Sequence, residues 1–184
     1  MAYQEWSVVY GEQPTAAKWN ILGTNCASFN DGTGIADDAI VPDHILNDYK
    51  FSAYLSGDYT LVSGNTVPFN SEHFDTGSDY NNATYKYVVP ITGYYKVGLL
   101  AVINPLAAAK YARVALYKGG VLESYLYQVQ NQSASAVAFH GSGEVLVYLT
   151  AGDELEIKNT TNDAACKLTS GASGSRFYAH LLST

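Results

Sequence analysis

Residues 80–103 read YNNATYKYVVPITGYYKVGLLAVI. Two runs rich in Tyr, Val, Thr and Ile flank the tetrapeptide Pro90-Ile91-Thr92-Gly93. Aromatic and β-branched residues suit the pleated, half-buried surface of a sheet, and Pro with Gly ends it. The stretch therefore predicts a strand over 84–89, a sharp break, and a second strand over 94–103. Working outward toward the C-terminus, the same pattern predicts strands over 109–117 and 122–130, with Gly119-Gly120 as the hairpin between them. Further strands are expected over 143–149, 155–158 and 176–182, with Ala151-Gly152-Asp153 as a turn. Toward the N-terminus, Phe51–Leu55, Tyr59–Val62, Thr66–Phe69 and His73–Asp75 are short strand-like runs, and Pro68 suggests an edge. No helical segment interrupts the series after residue 50. Closely spaced short strands of this kind define an all-β sandwich or jelly roll of about ten antiparallel strands.

Charged residues make up 15% of the 184-residue chain, against about a quarter in a typical soluble domain. So few charges imply that part of the surface is covered by other copies or by partners. The net charge is -7 and no run of five basic residues occurs, so neither nucleic acid nor an anionic membrane surface is an expected partner. The longest apolar run, Val97–Ile103, is too short to cross a bilayer. The opening MAYQEWSVVYGEQ lacks a basic segment followed by an apolar core, so export by a secretory signal is not expected.

Catalytic constellations are not evident. His140-Gly141-Ser142-Gly143 and Gly171-Ala172-Ser173-Gly174 lack the spacing of a nucleophile elbow and read as β turns. His44, His73, His140 and His180 show no paired ligand spacing for zinc. Cys26 and Cys166 stand far apart without metal spacing and read as two inert thiols, with a disulfide left open. The chain reads as a binding or structural protein rather than an enzyme.

Residues 1–48 differ in kind from the rest. Both tryptophans lie here, and Pro14 through Gly23 predicts a two-turn helix with Ala16, Trp19 and Leu22 on one face. So short a helix needs something to pack on. Two domains are thus expected: an N-terminal arm over 1–48, docking either on another surface or back on its own domain, and a β head over 49–184.

Five pieces of the β region, in order, carry a family resemblance: Phe51-Ser52-Ala53, Val67-Pro68-Phe69-Asn70, Tyr80 through Tyr95, Leu149 through Leu155 with its Gly152-Asp153 hairpin, and Phe177 through Leu182. Together they resemble the C1q/TNF-like jelly-roll head, although Ala179 stands where a Gly is common. The resemblance implies ten or so strands in two sheets and a homotrimer, with Tyr85, Tyr87, Tyr95, Tyr178 and His180 near the threefold interface. By analogy with heads that bind calcium, Asp75 and Asp79 are candidate ligands, although solvated turn acids are the plainer account. Tyr59 and Tyr80, at strand ends, are the tyrosines best placed for a ligand such as a glycan. Apart from calcium no cofactor is implied.

Gly11 through Asn20 (GEQPTAAKWN) resembles the opening of many phage tail-fibre and virion-appendage proteins. The combined expectation is a homotrimeric virion appendage made in the host cytoplasm. Trp6, Pro14, Trp19 and Leu22 of the arm would dock on other virion proteins, and the head would reach a host-surface glycan or protein. A cell-surface or secreted C1q-like lectin unrelated to a virus is the alternative.

Overall fold

The computed structural model describes residues 49–184. Expectations placed on the arm, including Trp6, Pro14, Trp19, Leu22 and Cys26, lie outside the described residues. Twelve strands follow one another: β1 (Lys50–Tyr54), β2 (Tyr59–Thr60), β3 (Ser71–Asp75), β4 (Tyr80–Asn81), β5 (Lys86–Val88), β6 (Gly93–Leu106), β7 (Tyr111–Lys118), β8 (Val121–Gln130), β9 (Val137–Leu149), β10 (Glu154–Thr161), β11 (Lys167–Leu168) and β12 (Arg176–Ser183). They form two antiparallel sheets. The larger runs β2-β11-β6-β12-β1-β3, with β9 also paired to β6; the smaller runs β4-β5-β10-β7-β8. This is the expected all-β jelly roll.

The break at Pro90–Thr92 does more than end a strand. It carries the chain from β5 in the smaller sheet to β6 in the larger, so the stretch 80–103 joins the two layers. Alternation along β6 sends Tyr95, Val97, Leu99, Ala101 and Ile103 into the core, each with no exposed surface. Phe51 of β1 stands at the centre. Its ring stacks between Tyr80 (4.8 Å) and Tyr87 (4.5 Å), and the edge of Phe177 closes a third side at 4.9 Å. The Tyr80 hydroxyl donates to the Phe69 carbonyl and the Tyr95 hydroxyl to that of Ile91, so both rings enter the core with their polar tips satisfied.

Four local expectations are corrected. The strand expected from residue 84 begins at Lys86, because the Asn81 side chain accepts the Ala83 and Thr84 amides and holds a turn, with Tyr85 at φ 61°. The strand expected over 66–69 is reduced to one bridge, Thr66 to Lys158. The strand expected to stop before Asn104 continues to Leu106, because a bulge between Ile103 and Leu106 absorbs Pro105. Finally, His140-Gly141-Ser142-Gly143 is no turn. It lies within β9, paired to Val102 through Leu99. The glycines are there for approach rather than for turning: a Cβ on Gly143 would strike the Leu126 carbonyl of β8, and one on Gly141 the Tyr127 ring. Gly171–Gly174 does form a turn, with Gly171 at φ 95° and the Gly174 amide donating to the Gly171 carbonyl. Cys166 is a buried free thiol whose pKa burial pushes up to about 11, which leaves it inert at neutral pH.

Candidate functional site on the outer face of the larger sheet

The side chains that alternate away from the core on β1, β12, β6 and β9 fall into cross-strand rungs fixed by the register. Tyr54, Arg176, Leu100 and Ser142 form one rung; Ser52, Tyr178, Gly98 and Glu144 the next; Lys50, His180, Lys96 and Leu146 the third. Tyr94 and Tyr148 face each other beyond them, beside Leu182 in the bulge that ends β12.

Apart from Leu146 the second and third rungs are polar, and Lys96, Glu144 and Tyr178 fix one another. Glu144 accepts from Lys96 Nζ at 2.6 Å and from the Tyr178 hydroxyl at 2.5 Å. Those two hydrogen bonds hold its carboxyl below the usual range. Burial and the Glu144 contact push the Tyr178 hydroxyl up to about 12. Tyr178 reaches Glu144 only because Gly98 has no side chain; a Cβ there would overlap the ring. A surface pair of this kind adds little stability, but it fixes the orientation of three side chains.

His180 stands between Lys50 and Lys96 on the flanking strands. Burial first, then the Lys96 and Lys50 charges, lower its pKa, with Glu144 pulling the other way. A histidine whose folded pKa lies below its unfolded value of about 6.5 contributes fully above that pH. The contribution is lost as pH falls from there through the folded pKa. The melting temperature should accordingly decline less between pH 7 and pH 5 in His180→Gln than in the parent, read by thermal denaturation at fixed protein concentration. Equal declines would show that the rung exerts no such effect.

From Leu146 of the third rung outward, this end of the face is apolar and wet. Tyr94 is 54% exposed, Leu146 67%, Tyr148 54% and Leu182 50%. The Tyr94 and Tyr148 rings meet edge to face at 5.1 Å. Four large apolar side chains gathered at one end of one face mark an interaction surface.

The structure separates the residues singled out from sequence. Tyr178 and His180 lie on this face. Tyr87 and Tyr95 do not: both are fully buried in the core of the single chain and present nothing to another copy. Tyr85 sits in the β4–β5 turn of the smaller sheet. Tyr80, considered for ligand contact, is 6% exposed and is a core ring, whereas Tyr59 is half-buried on β2 beside β11. The face residues that sequence reasoning missed, Tyr94, Leu146 and Tyr148, were signalled by alternation. Counting in twos from Val97 puts Tyr95 inside and Tyr94 outside.

Asp75 and Asp79 flank one loop. Asp75 accepts the Tyr80 amide at 2.8 Å, its other oxygen is buried without a hydrogen bond, and burial together with Asp75 raises the Asp79 pKa. Calcium takes six or more oxygens, and two carboxylates fall short of that set. Among the described residues no group of three or more His, Cys, Asp or Glu is placed to hold a metal ion. Among them, too, no helix is long and apolar enough to cross a membrane.

A two-sheet jelly roll whose larger sheet keeps an apolar outer face wet belongs to the class of all-β binding heads. The model of the C1q domain matches residues 50–182, and the chain belongs to that family. Two solved structures share the fold. The globular domain of zebrafish complement 1qA protein is 17% identical at a TM-score of 0.53, covering 72% of this chain and 96% of its own. The Eiger TNF from S. frugiperda is 14% identical at 0.56, covering 73% and 93%. No curated protein matches the chain. C1q/TNF-like domains are typically non-enzymatic binding modules.

Proposed function

We propose that the protein is a non-enzymatic homotrimer whose head serves as a virion appendage. Residues 1–48 dock on other virion proteins, and the head is presented to a host-surface glycan or protein. The observation that carries self-association is the wet cluster of Tyr94, Leu146, Tyr148 and Leu182. Burying such a side chain against another copy contributes roughly 1.5–3 kcal/mol. What supports the virion context is the Gly11–Asn20 motif. Three identical sites on one rigid head raise effective concentration, so weak single contacts give firm attachment.

Deletion of residues 1–48 tests the division of labour. The remaining head should stay folded and trimeric in sedimentation while disappearing from purified particles. Undiminished incorporation would remove the docking role. A trimeric head with no particle association in either form would favour the alternative, a cell-surface or secreted C1q-like lectin.

A further inference from the structure

We propose that the outer face of the smaller sheet binds an acidic sugar, a pyranose carrying a carboxylate, through Arg113 held between two tyrosine rings. The inference rests on the proposed presentation of the head to a host surface, and names the class of glycan met there. Ala112 and Val114 of β7 are fully buried, so Tyr111 and Arg113 alternate outward. Register sets Tyr111 opposite Gln130 and Arg113 opposite Gln128 on β8. These four residues, with Val129, line a cavity of about 350 Å³, within the size range of small-molecule sites. No acidic residue lines it. All five belong to the smaller sheet, whereas the wet apolar cluster proposed for self-association lies on the larger.

The charge pattern singles out Arg113. The strands of the smaller sheet carry four cationic side chains. Lys86 pairs with Glu154 at 2.7 Å, Lys118 with Asp153 at 3.8 Å and Lys158 with Glu156 at 3.1 Å. Among the described residues Arg113 has no ion pair. Its guanidinium instead lies 4.9 Å from the Tyr111 ring centre and 5.8 Å from that of Tyr125. Such contacts steady the side chain without consuming its N–H donors. Tyr111 is itself held from the main chain: its amide donates to Asn162 Oδ1 at 2.8 Å and its carbonyl accepts from the Thr161 hydroxyl at 2.7 Å. In a chain of net charge -7, a cation without a counter-charge is where an anion is drawn in. The planar guanidinium matches a carboxylate in a paired, two-bond geometry. The half-buried Tyr111 ring offers a plate for the C–H face of a sugar, and Gln128 and Gln130 offer donors and acceptors to its hydroxyls. A neutral sugar would leave Arg113 unpaired, and a bare anion would leave the ring and the glutamines uncovered.

The test applies the full chain to an array of neutral and acidic glycans, then to calorimetric titration at pH 7 and low salt, with sedimentation run in parallel. The titrants are tetragalacturonate or, where sialylated glycans lead the array, sialyllactose, each against its methyl ester, and tetraglutamate. Acidic glycans should lead the array, and the sugar acid should bind about tenfold or more tighter than its uncharged ester and tighter than the peptide. Arg113→Gln should weaken the sugar acid about tenfold or more. Tyr111→Ala should weaken it severalfold and Tyr111→Phe should restore it, with the assembly unchanged in all three. Ester or tetraglutamate binding as tightly as the sugar acid, or binding unaltered in Arg113→Gln, would overturn the proposal. So would dissociation of the assembly in Arg113→Gln, which would assign the guanidinium to a contact between copies. Neutral glycans bound equally by the parent and Arg113→Gln would sink this site and leave a glycan-binding head standing; no glycan bound at all would remove both.

Discussion

Replacing Leu146 with Lys and Tyr148 with Glu together should convert a three-chain particle into single chains in analytical ultracentrifugation, with the β spectrum of the head unchanged. Both side chains are more than half exposed and contribute nothing to the core of one chain, so the fold does not need them. The introduced lysine would meet Lys96 directly across the ladder, because Leu146 pairs with that residue. That pairing lies within one chain; between copies, the introduced charges would have to be stripped of water, a cost added to the lost apolar area. Each wild-type side chain accounts for roughly 1.5–3 kcal/mol if fully covered, and a closed ring repeats the loss at every interface. A trimer that survives both changes would mean that this face is not where copies meet.

Gly143→Ala should destabilise the fold by at least about 3 kcal/mol, at the upper end of what overpacking usually costs. The added methyl would strike the Leu126 main-chain carbonyl. Relief therefore requires β8 and β9 to part, which opens the side of the sandwich. Gly141→Ala offers the control. The atoms its methyl meets first belong to the Tyr127 ring, a half-buried side chain that can turn aside, so about 1 kcal/mol is expected. Urea denaturation at a single protein concentration reads both, because association would otherwise shift the midpoint. Equal losses at the two positions would show that main-chain approach is not what selects glycine in β9.

These two cases also mark how far the amino-acid order can be read. Strand spacing, the Gly119-Gly120 hairpin and the Gly152-Asp153 turn are local events, encoded by the residues that perform them, and they were legible. So was the inward set Val97, Leu99, Ala101. The glycines of β9 were misread because a glycine that admits a neighbouring strand looks, in sequence, like one that turns the chain. What distinguishes them is Leu126, on a different strand from Gly143. Tyr87 and Tyr95 were expected at an interface by family likeness, while strand alternation already placed Tyr95 with the core. The Glu144 contacts were invisible for another reason: Lys96, Glu144 and Tyr178 come from three separated segments, and only the antiparallel register brings them together.

The register has an architectural consequence. β1 begins opposite His180 and β12 ends opposite Tyr94, so the head's entry and exit leave from one pole. The opposite pole is made of connections alone: residues 55–58, 107–110, 131–136 and 169–175. Asn131 pins one of these by donating to the Leu106 and Ser135 carbonyls, which leaves 132–134 as a short exposed cap. That cap is a natural graft point. Foreign peptides placed there would be displayed away from Lys50 and Ser183, the two ends of the head's strands, whereas a carboxyl-terminal fusion would crowd the pole where the polypeptide enters the head.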